Sequence, residues 1–223
     1  MPTVKESFAT LAEQGTLRQE NLVGCTESEI RELEAHFGCA LPQAYKDFLL
    51  IAGKRSGKLF QGTDILYPLL LELKEWSREL LKENNAESLV PPEAVVFSMH
   101  QGYTFDYFLP GNNDPAIHQF MEGHPDTCIG WESFSEFISS RIADHLRVWP
   151  DLNDDGSAEA HKIISLVEAF KQQHGRFPAD MSEAGLDAPG AWKFARYSIG
   201  EYGPQVSYRD PGNKISYAIH IKG

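Results

Sequence analysis

The sequence predicts an α+β protein with two domains, and three observations support this prediction. Capped amphipathic helices occupy the first third of the chain, and short strands separated by turn residues follow between residues 94 and 121. A polar segment at residues 151–157 then separates this region from a second set of helix and strands. Grouped helices and strands are typical of the α+β class. We therefore expect one domain over residues 1–150 and a second, small helix-and-antiparallel-sheet domain over residues 157–223.

The helices of the first region are predicted from capping residues and apolar spacing. Thr26 stands three residues before Glu29, a capping-box pattern at a helix start, and Gly38 is suited to the left-handed conformation that ends a helix. Pro42 suits the first position of the next helix. The residues expected on buried helix faces are Phe8, Leu11, Ile30, Leu33, Phe37, Tyr45, Phe48, Leu49, Trp76 and Leu80.

A meander of three antiparallel strands is expected at residues 94–99, 104–109 and 116–121, followed by a helix that begins at Ser133. Successive side chains of a strand point to opposite faces of the sheet. One face of the second strand should therefore carry Phe105, Tyr107 and Leu109, and the other should carry Thr104, Asp106 and Phe108. We expect the aromatic face to be core and the face with Asp106 to be a contact surface.

The second region is predicted to follow a linker at residues 151–157. Ile163, Val167 and Phe170 mark one helix that ends at residues 174–175, and strands are expected near residues 192–199, 205–209 and 214–221.

The charge of the chain is concentrated in the first region. The net charge is −12, and residues 1–150 hold 12 Lys and Arg against 22 Asp and Glu, a net of −10. No Lys or Arg occurs between Lys82 and Arg141, whereas nine carboxylates do. Acidic protein repels phosphate, which argues against direct binding of nucleic acid or of an anionic membrane. A basic protein partner is the expected counterpart, although the same acidity could serve solubility alone.

Cysteine usage and the termini favour a cytoplasmic protein. Cys25, Cys39 and Cys128 are an odd number without metal-type spacing, so free and mostly buried thiols in a reducing compartment are expected. The N-terminus lacks the pattern of a signal peptide, and no apolar run is long enough to span a bilayer.

Catalytic and metal-binding interpretations are weaker. The cluster of metal-type side chains comprises His100, Asp106, His118, Glu122 and His124. Its spacing on strands and turns favours surface polar residues, so neither a metal nor another cofactor is expected. A hydrolase using Ser98 or Cys128 with His100 and Asp106 is an alternative from another class of function, but no nucleophile-elbow pattern supports it.

Four segments follow one another in a recognisable order: the Leu-Pro-x-x-Tyr-x-x-Phe-Leu element at residues 41–49, the aromatic segment 97–108, residues 114–123 and the closing segment 131–138. Through these segments, residues 22–148 resemble the SUKH superfamily, which is named for yeast cell-wall-assembly regulators and their bacterial relatives. It implies a central, mostly antiparallel sheet with flanking helices, and non-catalytic binders that include bacterial immunity proteins against toxins, often nucleases. Ala52-Gly53 replaces the usual Gly-Gly pair, so the following loop is expected to differ.

The second region has a predicted helix at residues 163–170, the segment His174-Gly175-Arg176-Phe177-Pro178 and strands rich in Trp and Tyr. In these features it is similar to the globular heads of type II secretion pseudopilins, a resemblance of shape from which no function follows. The leading hypothesis is therefore an immunity protein that covers a basic toxin surface. A scaffold or regulatory module of the same superfamily is the alternative, and the oligomeric state stays open. The residues expected to contact the partner are Tyr103, Asp106, Phe108, Asp114, Glu122 and Asp126.

Overall fold

The structure is a computed structural model that describes residues 1–149, 151–186, 192–200, 203–209 and 216–221. Its contacts divide the chain into two units, Met1–Leu152 and Asn153–Gly223, and each unit is described by itself below. The division lies close to the predicted domain boundary.

The described residues form α-helices and antiparallel sheets, which confirms the α+β class. The helices are α1 (Val4–Glu13), α2 (Glu27–Phe37), α3 (Gln43–Ala52), α4 (Leu73–Glu83), α5 (Phe134–Val148) and α6 (Asp155–His174). The strands are β1 (Leu22–Val23), β2 (Arg55–Ser56), β3 (Thr63–Asp64), β4 (Val95–His100), β5 (Thr104–Phe108), β6 (Ile117–Met121), β7 (Cys128–Trp131), β8 (Ala195–Gly200), β9 (Gly203–Arg209) and β10 (Ser216–His220). Within these ranges the sheets have the orders β1-β2, β3-β4-β5-β6-β7 and β10-β9-β8.

The predicted helix caps are present. The Thr26 side chain accepts the backbone N–H of Glu29, and the Glu29 carboxylate accepts the backbone N–H of Thr26 at 2.7 Å. Gly38 ends α2 with a φ of 72°, in the left-handed region that glycine adopts without strain. Pro42 lies immediately before α3 rather than inside it, and Ser133 caps α5.

Helices cover both faces of the five-stranded sheet. Tyr45 of α3 packs against Phe97 of β4 and Phe108 of β5, with ring centroids 5.7 Å and 5.4 Å apart. On the opposite face α4 packs along β4, beside Val96 and Met99. The sheet is therefore the middle layer of the first unit, and its aromatic residues form the core on both sides.

This arrangement corrects the expected division of the second strand into a core face and a contact face. All five residues of β5 are buried, including Asp106 at 5% exposure and Phe108 at 0%. Phe105 and Tyr107 are core residues, as predicted. Alternation distinguishes the faces of a strand, but it identifies a solvated face only when one side of the sheet is open.

The sheet also contains two strands that were not predicted from the sequence, β3 and β7. β7 pairs with β6 and forms one edge of the sheet, and no other described strand pairs with it. Its residues Cys128, Ile129 and Gly130 are exposed, and Ile129 is 56% exposed.

The second unit is built from α6 and the sheet β10-β9-β8. Ile163 and Val167 of α6 share a buried cluster with Ala195, Tyr197 and Val206 of the sheet. The expected linker is shorter than predicted, because Asp154 caps α6 and the helix begins at Asp155. The expected turn at residues 210–213 lies outside the described residues.

Among the helices in the described ranges, none combines the length and the apolar character needed to cross a membrane.

Candidate functional site

Three of the six predicted contact residues are on the surface. Tyr103, in the turn between β4 and β5, is 40% exposed, and Glu122 and Asp126 are exposed between β6 and β7. The backbone N–H of Glu122 donates to the carbonyl of Tyr103 at 2.9 Å, which holds these two residues side by side.

The other three residues occupy positions that the sequence did not indicate. Phe108 is a core residue, so its predicted role in direct contact is wrong. Asp114 is half-buried, and its carboxylate accepts the backbone N–H of Ser135 at 2.9 Å, which secures the start of α5. Asp106 is buried as well, but it lies at the floor of a cleft.

This cleft, here called the Asp106 cleft, has a volume of about 320 Å³. Strands β4, β5 and β6 form its floor, and α5, the segment before β3 and the turn at Tyr103 form its walls. A groove of about 340 Å³ between α4 and residues 87–96 is mainly apolar. The polar side chains that line the Asp106 cleft include Ser98, His100, Thr104, Asp106, Gln119 and Arg141.

Strand register places the donors that hold Asp106. Ser98 of β4 and Gln119 of β6 are its direct cross-strand neighbours. The Ser98 hydroxyl donates to Asp106 Oδ2 and the Gln119 amide donates to Oδ1, both at 2.9 Å. Burial raises the pKa of Asp106, although both hydrogen bonds and the charge of Arg141 act in the opposite direction. Two neutral donors therefore hold a carboxylate that burial disfavours in its charged form.

Thr104 lies two residues before Asp106 on β5, so both side chains point to the same face. Thr104 is 6% exposed, and its hydroxyl has no hydrogen-bond partner in the part of the chain that the structure describes. A buried hydroxyl without a partner is unusual, because such groups lose their bonds to water. The cleft thus has a buried carboxylate and an unsatisfied hydroxyl side by side on its floor.

The walls of the cleft are held by their own contacts. His100 Nδ1 lies 3.0 Å from the Thr63 hydroxyl, and His145 Nε2 accepts the backbone N–H of Phe60 at 3.2 Å. The Arg141 guanidinium lies 4.9 Å from the ring centre of Trp131. It also lies 3.8 Å from the Asp144 carboxylate. These contacts fix Arg141 along α5.

The geometry does not assemble a nucleophilic triad. A serine nucleophile requires a histidine that accepts its proton, whereas Ser98 donates directly to Asp106. The ring of His100 is bound through Thr63, and Cys128 is exposed at the sheet edge. In the described ranges, no group of three or more His, Cys, Asp or Glu could hold a metal ion.

The cysteines differ in exposure, which corrects the expectation of mostly buried thiols. Cys25 is buried, Cys39 is half-buried and Cys128 is exposed. Burial raises the pKa of Cys25 to about 12, and the nearby Glu29 carboxylate adds to this effect. Cys25 is therefore an unreactive thiol.

Exposed carboxylates occur on both sides of β7 in the chain, and the backbone of one of them, Glu122, is hydrogen-bonded to that of Tyr103 in the cleft wall. Glu122, Asp126 and Glu132 are exposed around β7. For these three carboxylates, the described residues include no ion pair with Lys, Arg or His. We call these three residues the acidic edge. Unpaired carboxylates leave a negative potential that attracts a basic partner.

Thr104 was placed on the same strand face as Asp106 from the sequence, because their i, i+2 spacing is visible there, but it was not among the residues expected to contact the partner. Gln119 and Arg141 were not predicted as residues of the site. The contributions of Gln119 and Arg141 depend on strand pairing and on the position of α5, for which the sequence offered no signal.

Comparison with known proteins agrees with this architecture. Residues 24–140 match the model of the SMI1 / KNR4 family (SUKH-1), over slightly more than half of the chain. A comparison with curated proteins finds no match. The matched segment contains α2 to β7, the five-stranded sheet and the greater part of the Asp106 cleft. The chain therefore belongs to the SMI1 / KNR4 family (SUKH-1).

Proposed function

We propose that this protein is a non-catalytic protein-binding module, an immunity protein that acts in the cytoplasm and neutralises a basic toxin domain by covering its active surface. The observation that carries the proposal is the acidic edge, Glu122, Asp126 and Glu132, which is exposed and has no ion-pair partner among the described residues. Membership of the SUKH-1 family supports a binding role. In this proposal the two units act as separate domains.

The mechanism is occlusion guided by charge. The sequence has no Lys or Arg between Lys82 and Arg141, and the three carboxylates of the acidic edge form no ion pair within the described residues. Complementary charge chiefly raises the rate of encounter, by a factor of about 10 to 1,000 at low salt. Tyr103, beside Glu122, supplies an aromatic contact of the kind that anchors many interfaces. No bond of the partner is broken in this mechanism.

The test is capture of the partner from the host, followed by measurement of association rates at increasing salt concentration. We expect a basic partner and an association rate that falls as salt rises. The double variant Glu122→Lys, Asp126→Lys should slow association by about tenfold or more. The control, Glu13→Lys with Glu168→Lys, makes the same change in net charge at exposed positions outside the acidic edge and should have little effect.

A partner that is not basic, or a complex indifferent to salt, would contradict the charge mechanism. A captured toxin whose activity the protein abolishes would support the immunity role. A captured host protein without toxic activity would instead support a scaffold or regulatory role for the chain.

A further inference from the structure

The buried carboxylate of Asp106 has no cationic hydrogen-bond partner. Asp106 is 5% exposed, and the groups that donate to it, Ser98 and Gln119, are neutral. No ion pair to Asp106 forms within the described ranges. A carboxylate is rarely buried to this degree without a cation, because removing its charge from water is costly. Since Asp106 opens onto a cleft, a cation can reach it from outside.

The unsatisfied Thr104 hydroxyl is a second and independent sign of a ligand. Thr104 lines the same cleft, and its hydroxyl oxygen is buried and has no partner among the described residues. It lies on the same face of β5 as Asp106, so one bound group can contact both. The two acceptors call for a ligand with more than one N–H donor.

Arg141 does not fill this role. Its charge opposes, from a distance, the rise that burial causes in the pKa of Asp106, but Arg141 makes no hydrogen bond to Asp106. Its guanidinium instead packs beside Trp131 and near the Asp144 carboxylate. A second cation in the cleft would be repelled by Arg141, and this repulsion provides one of the tests below.

We propose that the Asp106 cleft binds the guanidinium group of an arginine side chain presented by the protein partner. The proposal rests on the proposed function, since it assumes a basic partner. A guanidinium carries five N–H donors in a planar fork, which can reach Asp106 and Thr104 together. The aromatic walls, Phe60, Tyr103 and Phe137, suit its flat face. A cleft of about 320 Å³ is at the lower end of ligand pockets, a size that suits one side chain.

The experiment uses N-acetyl-arginine methylamide as the probe, with the whole chain and no partner. Binding is followed by NMR, through the side-chain amide of Gln119 and the methyl group of Thr104. We expect saturable binding in the millimolar range, because one side chain supplies few contacts. The citrulline analogue has nearly the same shape without the charge and should bind at least tenfold more weakly. The lysine analogue should lie between the two.

Variants separate the site from a general attraction to acidic protein. Asp106→Asn should weaken binding of the arginine probe at least tenfold, and Thr104→Val should weaken it several-fold. Arg141→Gln removes the repelling cation and should strengthen binding. Glu13→Lys, which alters an exposed carboxylate outside the cleft, should leave binding unchanged.

Several results would overturn the inference. Equal binding of the arginine and citrulline probes would exclude recognition of the charge, and unchanged binding to Asp106→Asn would place the probe elsewhere. Free arginine binding much more tightly than the capped probe would identify a free amino acid as the ligand. The probe needs no natural partner, so its failure is distinguishable from failure of the capture experiment.

Discussion

Because the Thr104 hydroxyl is buried without a hydrogen bond in the described ranges, we expect its removal to raise the stability of the protein. Thr104 is 6% exposed, and its Oγ1 has no partner in the described residues. Replacing it by valine exchanges the hydroxyl for a methyl group of similar size in a strand, where valine is well accommodated. Most substitutions of buried residues destabilise a protein. Thr104→Val should instead stabilise the first unit.

The magnitude follows from the burial of the hydroxyl. Leaving a buried hydroxyl without a hydrogen bond costs about 1–3 kcal/mol, and the substitution removes that cost. We therefore expect the free energy of unfolding to rise by about 1 kcal/mol or somewhat more. For a protein of 150–250 residues, 1 kcal/mol corresponds to an increase in Tm of about 2–4 °C.

The assay must report on the first unit alone, because a chain with two units need not unfold in a single transition. Hydrogen exchange of the β4 and β5 amides meets this requirement. The matched control is Thr63→Val, which removes a hydroxyl that lies 3.0 Å from His100 Nδ1 and should therefore destabilise the unit by about 0.5–1.5 kcal/mol. A loss of stability in Thr104→Val as large as in Thr63→Val would refute the reasoning, since the Thr104 hydroxyl would then be satisfied in solution.

Three further predictions test the core, a helix cap and the buried charge. Phe108→Ala should lower the free energy of unfolding in urea by about 3–5 kcal/mol, because the ring is fully buried against Tyr45 and Phe97. A loss below about 1 kcal/mol would contradict the buried position of Phe108. Thr26→Ala should cost about 1 kcal/mol through loss of the α2 cap, seen as faster amide exchange in the first turn of that helix. Because burial raises the pKa of Asp106, the folded state binds this proton at higher pH than the unfolded chain does. The free energy of unfolding therefore falls as pH rises from the usual pKa of an aspartate to the raised pKa of Asp106. Urea unfolding at several pH values should therefore show the free energy of unfolding of Asp106→Asn, relative to that of the natural chain, falling as pH falls; a difference independent of pH would contradict the shift.

Local signals in the sequence were sufficient for most of the elements. The Thr26 capping box and Gly38 located α2 correctly, because a cap depends on residues that are neighbours in the chain. The strands β4, β5 and β6 were predicted within a residue or two of their observed ends. The missed strand β7 has four residues and contains Gly130, a composition that resembles a turn as much as a strand.

The functional site was harder to predict from the sequence than the fold, and the reason is physical. The prediction of a contact face assumed that one side of the sheet is exposed to solvent. Instead, α3 and α4 cover opposite sides of the sheet. Phe108 and Asp106 therefore share a buried face, and only the position of α5 decides that one lies in the core and the other in a cleft. Such long-range packing leaves no trace in the local pattern of residues. Tyr103, Glu122 and Asp126 were placed correctly on the surface because turns are usually exposed.

The acidic residues around the exposed strand β7 also affect how this strand can pair with other chains. An uncovered edge offers free backbone groups to any other extended chain, and many proteins discourage such pairing with lysine or proline. β7 contains neither, but Asp126 precedes it and Glu132 follows it. If two copies approached edge to edge in antiparallel fashion, these carboxylates would face each other and repel. The same charges that would attract a foreign basic chain thus oppose pairing of this edge with the same edge of a second copy.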